Sequence, residues 1–317
     1  MSNTYFKILR SGINTTVQDK GRNHMYHIGI AMSGAIDQRN YKLSNKLVNN
    51  ELSEAVIEFA YQGPLLKLKN GKINFSITGD VLFKIIRKNL SVENGICYKN
   101  YILEDEDQID IISTKNSVYG YLSVNGGFKL KKVWNSYSIN TKANIGSNNG
   151  KKYSLEDKIF IKNSDLQINK ETKIIYNQAS DKIIRVIKGT NFDFFSNEAQ
   201  NIFFKKNFLV TKLADRMGIR LSGHELENKV STNIKSEGLV RGVIQVPADG
   251  NPIIMLSDHG TIGGYPKIGV VISADLDRVG QLIPGSIINF KEVSLEEAQN
   301  IFKAYTDETN KYLNECN

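Results

Sequence analysis

"GLVRGVIQVPADGNPIIMLSDHGTIGGYPKIGVVIS", residues 238–273, sets the short β-branched runs VIQV, PIIML and IGVV between turns built from Gly, Pro, Asn and Asp. Each run is too short for a helix and has the residue types of a strand, so the stretch reads as a series of hairpins. The same style fills the chain. YFKILR, EAVIEF, KINFSIT, VLFKIIR, QIDIIS and VYGYLSV in the first half, and KIIRVIKG, NFLVTKL and SIINF in the second, are brief and bounded by Gly, Asn or Asp. This pattern predicts a mainly β protein made of barrels or sandwiches.

Helical signals are few. Ile36, Asn40, Leu43 and Leu47 share a face at three- and four-residue spacing, and SNEAQNIFFKK and ADLDRVGQL suggest short helices. Ser294 and Glu297 form a capping box before an amphipathic run to the C-terminus. The stretch from Lys129 to Asp157 is rich in Lys, Asn, Ser and Gly and, taken alone, reads as a flexible loop. With 317 residues, two domains are expected, 1–175 and 176–317, and no close internal repeat is seen.

Charge and cysteine usage narrow the function. The formal charge is +8 and 40% of residues are hydrophobic. The lysines are scattered among asparagines and isoleucines, with no zinc-finger or RNP pattern, so a solvated basic surface is preferred to nucleic-acid binding. Cys97 and Cys316 are too far apart in sequence to suggest a disulfide framework or a metal site, which fits a reducing cytoplasm. No stretch reaches the roughly 20 apolar residues of a membrane span, and no signal peptide opens the chain.

Three stretches carry candidate chemistry. Residues 15–40 hold Gln18, Asp19, Arg22, His24, His27 and Asp37 among glycines. Asp19 and Arg22 fit a simple ion pair, Asp37 fits the cap of the following helix, and the two histidines lack a further ligand nearby for a metal. Residues 213–223 hold Arg216 and Arg220, four apart and so on one face of a strand, as a carboxylate or phosphate would require, unless each pairs with a neighbouring acid. Residues 235–266 hold Glu237, Arg241, Gln245, Asp249, Asp258, His259, Thr261, Gly263, Gly264 and Tyr265. SDHGTIGGYP within it is expected to be a tight turn set at a pocket. Missing are GxxxxGK[ST], GxGxxG after a strand, GxSxG and a biotin-attachment sequence.

Taken together, these stretches resemble the biotin-dependent carboxyltransferase family, the family of the C subunit of 5-oxoprolinase (KipA, the KipI antagonist) and of allophanate hydrolase subunit 2. TVQDKGR, GIAMSGAIDQRNYKLSNKLVNN, EFAYQGPLLKL, ADRMGIRLSG, residues 236–271 and DLDRVGQLIPGSIINF resemble its motifs in order, from about residue 8 to 291. The chain departs from the pattern at Ile36 for Met, Ser44 for Ala, Asn49 for Gly, Tyr137 for Arg, Ile139 for Thr and Ser147 for Gly, and Gly260 precedes Thr261 where Gln is common.

The resemblance implies two cyclophilin-like β-barrel domains, subdomain A-like and subdomain B-like, with a few short helices and a C-terminal helix. It implies a cytoplasmic component of an ATP-dependent 5-oxoprolinase-type complex, acting with a KipI-like B subunit and a LamB/YcsF-like A subunit, with biotin as a second cofactor the family uses. The alternatives are a regulatory protein that binds a KipI-like kinase inhibitor, or a carboxyltransferase component for urea-like substrates. In the enzymatic reading Asp19, Asp37, Glu237, Asp258 or His259 is the proton acceptor. Gln18, Arg22, Arg216, Arg220, Gln245, Thr261, Gly263, Gly264 and Tyr265 bind substrate, and no metal is expected.

Overall fold

The computed structural model describes residues 3–162, 171–176 and 181–315; Cys316 lies outside the described residues. The chain forms two compact units. The first comprises the described residues up to Arg22, from Ser33 to 176, and from Thr309 onward; the second comprises Asn23–Met32 and the described residues from 181 to Glu308. The sequence suggested one break near residue 175. It gave no sign that Asn23–Met32 belongs with the second unit and the C-terminal turns from Thr309 with the first.

Alternating burial builds the first unit. Strands β1 (Tyr5–Arg10), β2 (Asn14–Gln18), β3 (Val56–Ala60), β4 (Leu65–Lys69), β5 (Ile73–Thr78), β6 (Val81–Ile86), β7 (Val92–Asn94), β8 (Asn100–Leu103), β9 (Gln108–Thr114), β10 (Tyr119–Val124) and β11 (Lys158–Phe160) form two sheets. Their orders are β11-β1-β4-β9-β6-β7 and β2-β3-β10-β5-β8. Phe6, Ile8, Leu66, Leu68 and Phe83 from one sheet meet Ile57, Phe59, Phe75, Ile77 and Leu122 from the other in a single core. Helix α1 (Gln38–Leu47) covers the outer face of β5 and β10. Small hydroxyls make that packing close: Ser44 Oγ lies 2.8 Å from Ser123 Oγ, and Ser76 and Thr78 donate to the Ser44 and Asn40 carbonyls. β3 and β10 are therefore buried on both faces, which explains why their sequences do not alternate.

In the second unit, β12 (Ile183–Lys188), β13 (Phe208–Ala214), β14 (Gly218–Ser222), β16 (Val243–Gln245), β17 (Ile253–Met255), β19 (Lys267–Val271) and β20 (Ile287–Glu292) close into a barrel. The parallel pair β12–β20 completes the ring. Two short strands, β15 (Glu237–Gly238) and β18 (Ile262–Gly263), pair as a separate ribbon. Helix α2 (Asn197–Lys205) packs on β20, and Phe203 stacks on Phe290 with centroids 4.5 Å apart. Helix α3 (Leu276–Gly280) and the C-terminal helix α4 (Leu295–Glu315) complete the elements. The capping box is present: Glu297 N donates to Ser294 Oγ, and Ser294 N donates to Glu297 Oε2. No helix among the described residues is long and apolar enough to cross a membrane.

The mainly β architecture with few short helices and a C-terminal helix is thus as expected. The 129–157 stretch is a correction. It is not a slack loop but a tightly bonded one, with Ser136, Ser138, Ile139, Asn140 and Ser147 buried. Its order comes from side-chain bonds to distant residues, which local composition does not show.

Phe203→Ala removes a fully buried ring packed on Phe208 and Phe290, and should cost about 3–5 kcal/mol. Chemical denaturation followed by circular dichroism should show the second unit's transition at lower denaturant, without loss of β signal under native conditions.

Candidate functional site

In the first unit, the predicted polar residues converge on Asp19. Strand β2 ends at Gln18, and the chain turns through Gly21 at φ 92°. Gly34, at φ 85°, lies against this turn so closely that a Cβ would stand 2.8 Å from Gly21 N; only glycine allows the approach. The loop from Val133 then wraps the turn. Ser136 Oγ, Ser138 Oγ and Gly21 N donate to Asp19 Oδ1 at 2.7, 2.6 and 2.8 Å, and Tyr137 N donates to Oδ2 at 2.7 Å. These donors take up most of a carboxylate's accepting capacity, so Asp19 is a structural hub rather than a poised base.

Gln18 and Arg22 serve the same loop. The Gln18 amide donates to Ile139 O at 2.9 Å, and the buried Arg22 guanidinium donates to Ser138 O. Asp37 is the N-cap of α1, accepting from Asn40 N at 2.9 Å and Asn40 Nδ2 at 2.7 Å. The capping explanation given by the sequence therefore accounts for it. Sequence reasoning missed Ser136, Ser138 and Glu58, whose Oε2 accepts from Ile36 N at 2.8 Å. Serines in a polar loop carry no local signal that they point at a buried acid.

In the second unit, residues 257–266 leave β17, form β18 and return into β19. Asp258 and Arg216 make a buried bidentate pair, Nε to Oδ2 at 2.8 Å and Nη2 to Oδ1 at 3.1 Å. Arg220 pairs separately with Asp249 at 2.5 Å, partly exposed. The two arginines thus do not form a shared anion clamp: Arg216 precedes β14 rather than lying within it, and each has its own acid. Glu237 on β15 binds the ammonium of Lys267, which is itself buried. The Gln245 amide donates to Tyr265 O at 3.1 Å, and Gly263 lies where a Cβ would meet that amide at 2.6 Å. Thr261 O accepts from Leu239 N and Gly264 O from Ile234 N, so both hold the ribbon in place.

His259 differs from the four carboxylates. Its Nδ1 lies 2.5 Å from Gly260 O, so Nδ1 carries the proton and Nε2 is left as an acceptor. Nε2 lies 3.3 Å from the hydroxyl of Tyr26, which is 39% exposed. Burial holds His259 below the ordinary histidine range, opposed by the Gly260 bond and by Asp258 and aided by Arg241. Burial also raises Tyr26, against the pull of Arg241. A neutral imidazole facing a neutral phenol is a two-step route for one proton. Tyr26 was missed because only the fold brings residue 26 to residue 259.

A cavity of about 560 Å³ in the second unit is lined by Ser196, Glu198, Glu225, Glu227, Asn228 and Asp249 among others, and by none of residues 257–266. The buried groups of the turn meet partners outside it, Asp258 with Arg216 and His259 with Tyr26. His24 and His27 are exposed, and among the described residues no group of three or more His, Cys, Asp or Glu is arranged to hold a metal.

Comparison with known proteins places this geometry in context. The family model for the carboxyltransferase domain, subdomain A and B, matches residues 28–292. The chain is 31% identical over 305 residues to the C subunit of 5-oxoprolinase from Haemophilus influenzae, covering 95% of this chain and 96% of that one. It is 28% identical to the C subunit of 5-oxoprolinase from Escherichia coli, covering 92% of each. The crystal structure of K. lactis urea amidolyase shows the same fold, with a TM-score of 0.88 at 24% identity over 98% of this chain and 20% of that one.

Asp258→Asn leaves Arg216 buried beside a neutral amide and should destabilise by about 3–5 kcal/mol, whereas the double variant Arg216→Met with Asp258→Leu should recover most of that. Melting temperatures of the three proteins check this. A full loss in the double variant as well would show that the pair does more than balance charge.

Protonating His259 is opposed by the fold, so its contribution to stability is complete above the unfolded value of about 6.5 and is lost as pH falls below it. The ring should titrate below about 6.5 by NMR, and His259→Gln should flatten the fall in melting temperature on acidification.

Proposed function

Because the chain belongs to the carboxyltransferase domain, subdomain A and B, family, we propose that it is one component of an ATP-dependent 5-oxoprolinase-type complex that opens 5-oxoproline to glutamate. The observation that carries this reading is the end-to-end correspondence, at 31% identity, with the C subunit of a 5-oxoprolinase. The partners in this reading are a KipI-like B subunit and a LamB/YcsF-like A subunit.

A ring amide is a poor electrophile, and its opening places negative charge on oxygen while a water gives up a proton. The chain's own part is argued by elimination. Asp19, Asp37, Asp258 and Glu237 are each committed to backbone donors or to a cation. His259 is the candidate base left with an accepting nitrogen, turned toward Tyr26. In this reading the water oxygen bonds to the ring carbonyl carbon as its proton passes to the Tyr26 oxygen and the phenol proton to His259 Nε2; the ring C–N bond then breaks and the departing nitrogen takes that proton back along the same route. A base so placed contributes about 10²–10⁴-fold.

ATP and biotin do not fit the cavity of the second unit. Glu198, Glu225 and Glu227 line it with no Lys or Arg in the lining, and three carboxylates repel a triphosphate or a carboxylated carrier. No step of this chain is routed through either, and the nucleotide belongs to the rest of the complex.

The test is ATP- and 5-oxoproline-dependent glutamate formation by the co-expressed complex. His259→Asn and Tyr26→Phe should lower kcat by about 100-fold or more while the complex still assembles. Full activity in both would remove the proton route. A stable complex that makes no glutamate would favour the regulatory reading, and urea-dependent carboxyl transfer would favour the carboxyltransferase one.

A further inference from the structure

The loop that encloses Asp19 has an outer face that the proton route does not use. Val133–Ser136 is a two-residue hairpin turn, closed by Val133 N to Ser136 O at 2.8 Å and Ser136 N to Val133 O at 3.3 Å. Its central residues, Trp134 and Asn135, sit at φ 49° and 60°. Such a turn favours Asn and Gly at both positions, and Asn135 fits. Trp134 does not: a bulky L-residue avoids the left-handed region. Nor does burial compensate, because Trp134, the chain's single tryptophan, is 44% exposed. A strained backbone carrying an uncovered indole is explained by something that covers it outside the chain.

The surroundings define what that is. Between Lys129 and Leu155 there are six lysines, no arginine and no acid, a local charge of +6 in a chain of net charge +8. Lys129, Lys131, Lys132, Lys142, Lys151 and Lys152 are all exposed. Among the described residues Lys129, Lys131 and Lys151 form no ion pair. Six of the chain's lysines thus lie on one loop system free of acids, whose turns are tied together by Ser147 Oγ to Tyr137 O, Asn140 N to Ile145 O and Lys152 Nζ to Ile13 O. Three of the loop's polar side chains are unavailable to a ligand: Ser136, Ser138 and Asn140 are buried and bonded within the unit. There is one exposed aromatic rather than a stacking series, and the cations are point charges rather than phosphate-matching forks.

We propose that this face docks an acidic protein surface, a partner whose carboxylates surround an apolar socket for Trp134. An exposed indole on a lysine-rich loop system supplies the aromatic anchor of an interface hot spot, with the lysines setting association rate and orientation. The inference rests on the reading that the chain is one component of a complex.

Because Trp134 is the chain's single tryptophan, its fluorescence reports this face directly whenever the probe lacks tryptophan. The probes are the KipI-like partner with its tryptophans replaced by phenylalanine, poly-glutamate as a bare acidic chain, and a single-stranded oligonucleotide. The KipI-like partner should shift Trp134 emission to the blue and shield it from acrylamide, less so at high salt. Trp134→Gly, which suits the turn, should fold with equal or higher melting temperature, yet bind that partner about 10-fold or more weakly by calorimetry. Lys131→Glu with Lys151→Glu should do the same through charge.

A complex that leaves Trp134 unshielded overturns the proposal. So does the absence of any complex together with poly-glutamate that does not shield, or shielding by the oligonucleotide alone. Glutamate formation is a separate readout: activity with an unshielded Trp134 removes this inference and keeps the enzymatic one, and shielding without glutamate does the reverse.

Discussion

A buried carboxylate must be met by donors, and Asp19 is met by Ser136, Ser138, Gly21 N and Tyr137 N. That single requirement organises the first unit around the end of β2. It fixes the turn at Gly21, and it gives the long polar loop a reason to be ordered. Without these bonds an ionised group would sit in a low-dielectric interior at a cost of several kcal/mol. The same loop then presents Trp134 and its lysines outward. One set of hydrogen bonds thus produces both a rigid interior and a charged exterior.

The second unit follows a related rule. Arg216 with Asp258, and Lys267 with Glu237, place opposite charges together where neither ion alone would be tolerated. The ribbon β15–β18 is held on the barrel by the Lys267 contact and by the Gln245 amide. His259 remains as the ionisable group whose neutral form the surroundings favour. Its low proton affinity and the raised value of Tyr26 have the same cause, loss of water around both.

Much of this was legible in the residues. The short β-branched runs, the N-cap at Asp37 and the box at Ser294 are local features, and local physics writes them into sequence. Asn49 illustrates the point: it stands where the resembled motif carries Gly, at φ 56°, and Asn is the next residue that conformation accepts. The candidate site was half legible. His259, Asp19 and Asp258 were found while Tyr26, Ser136 and Ser138 were not, and the roles given to Asp19, Asp258 and the arginine pair changed once partners were seen.

The sequence by itself determined the β class, the helix caps and the turns, because each depends on residues within a few positions of one another, and the family, because its motifs follow in order along the chain. The tertiary structure decided which acids are neutralised, that Tyr26 meets His259, and that a polar loop is rigid with an exposed indole at its tip. These depend on pairs such as Asp19 with Ser138 and Tyr26 with His259, which lie 119 and 233 residues apart. A residue's charge is a property of its side chain, but the use of that charge is set by whatever the fold places within about 3 Å of it.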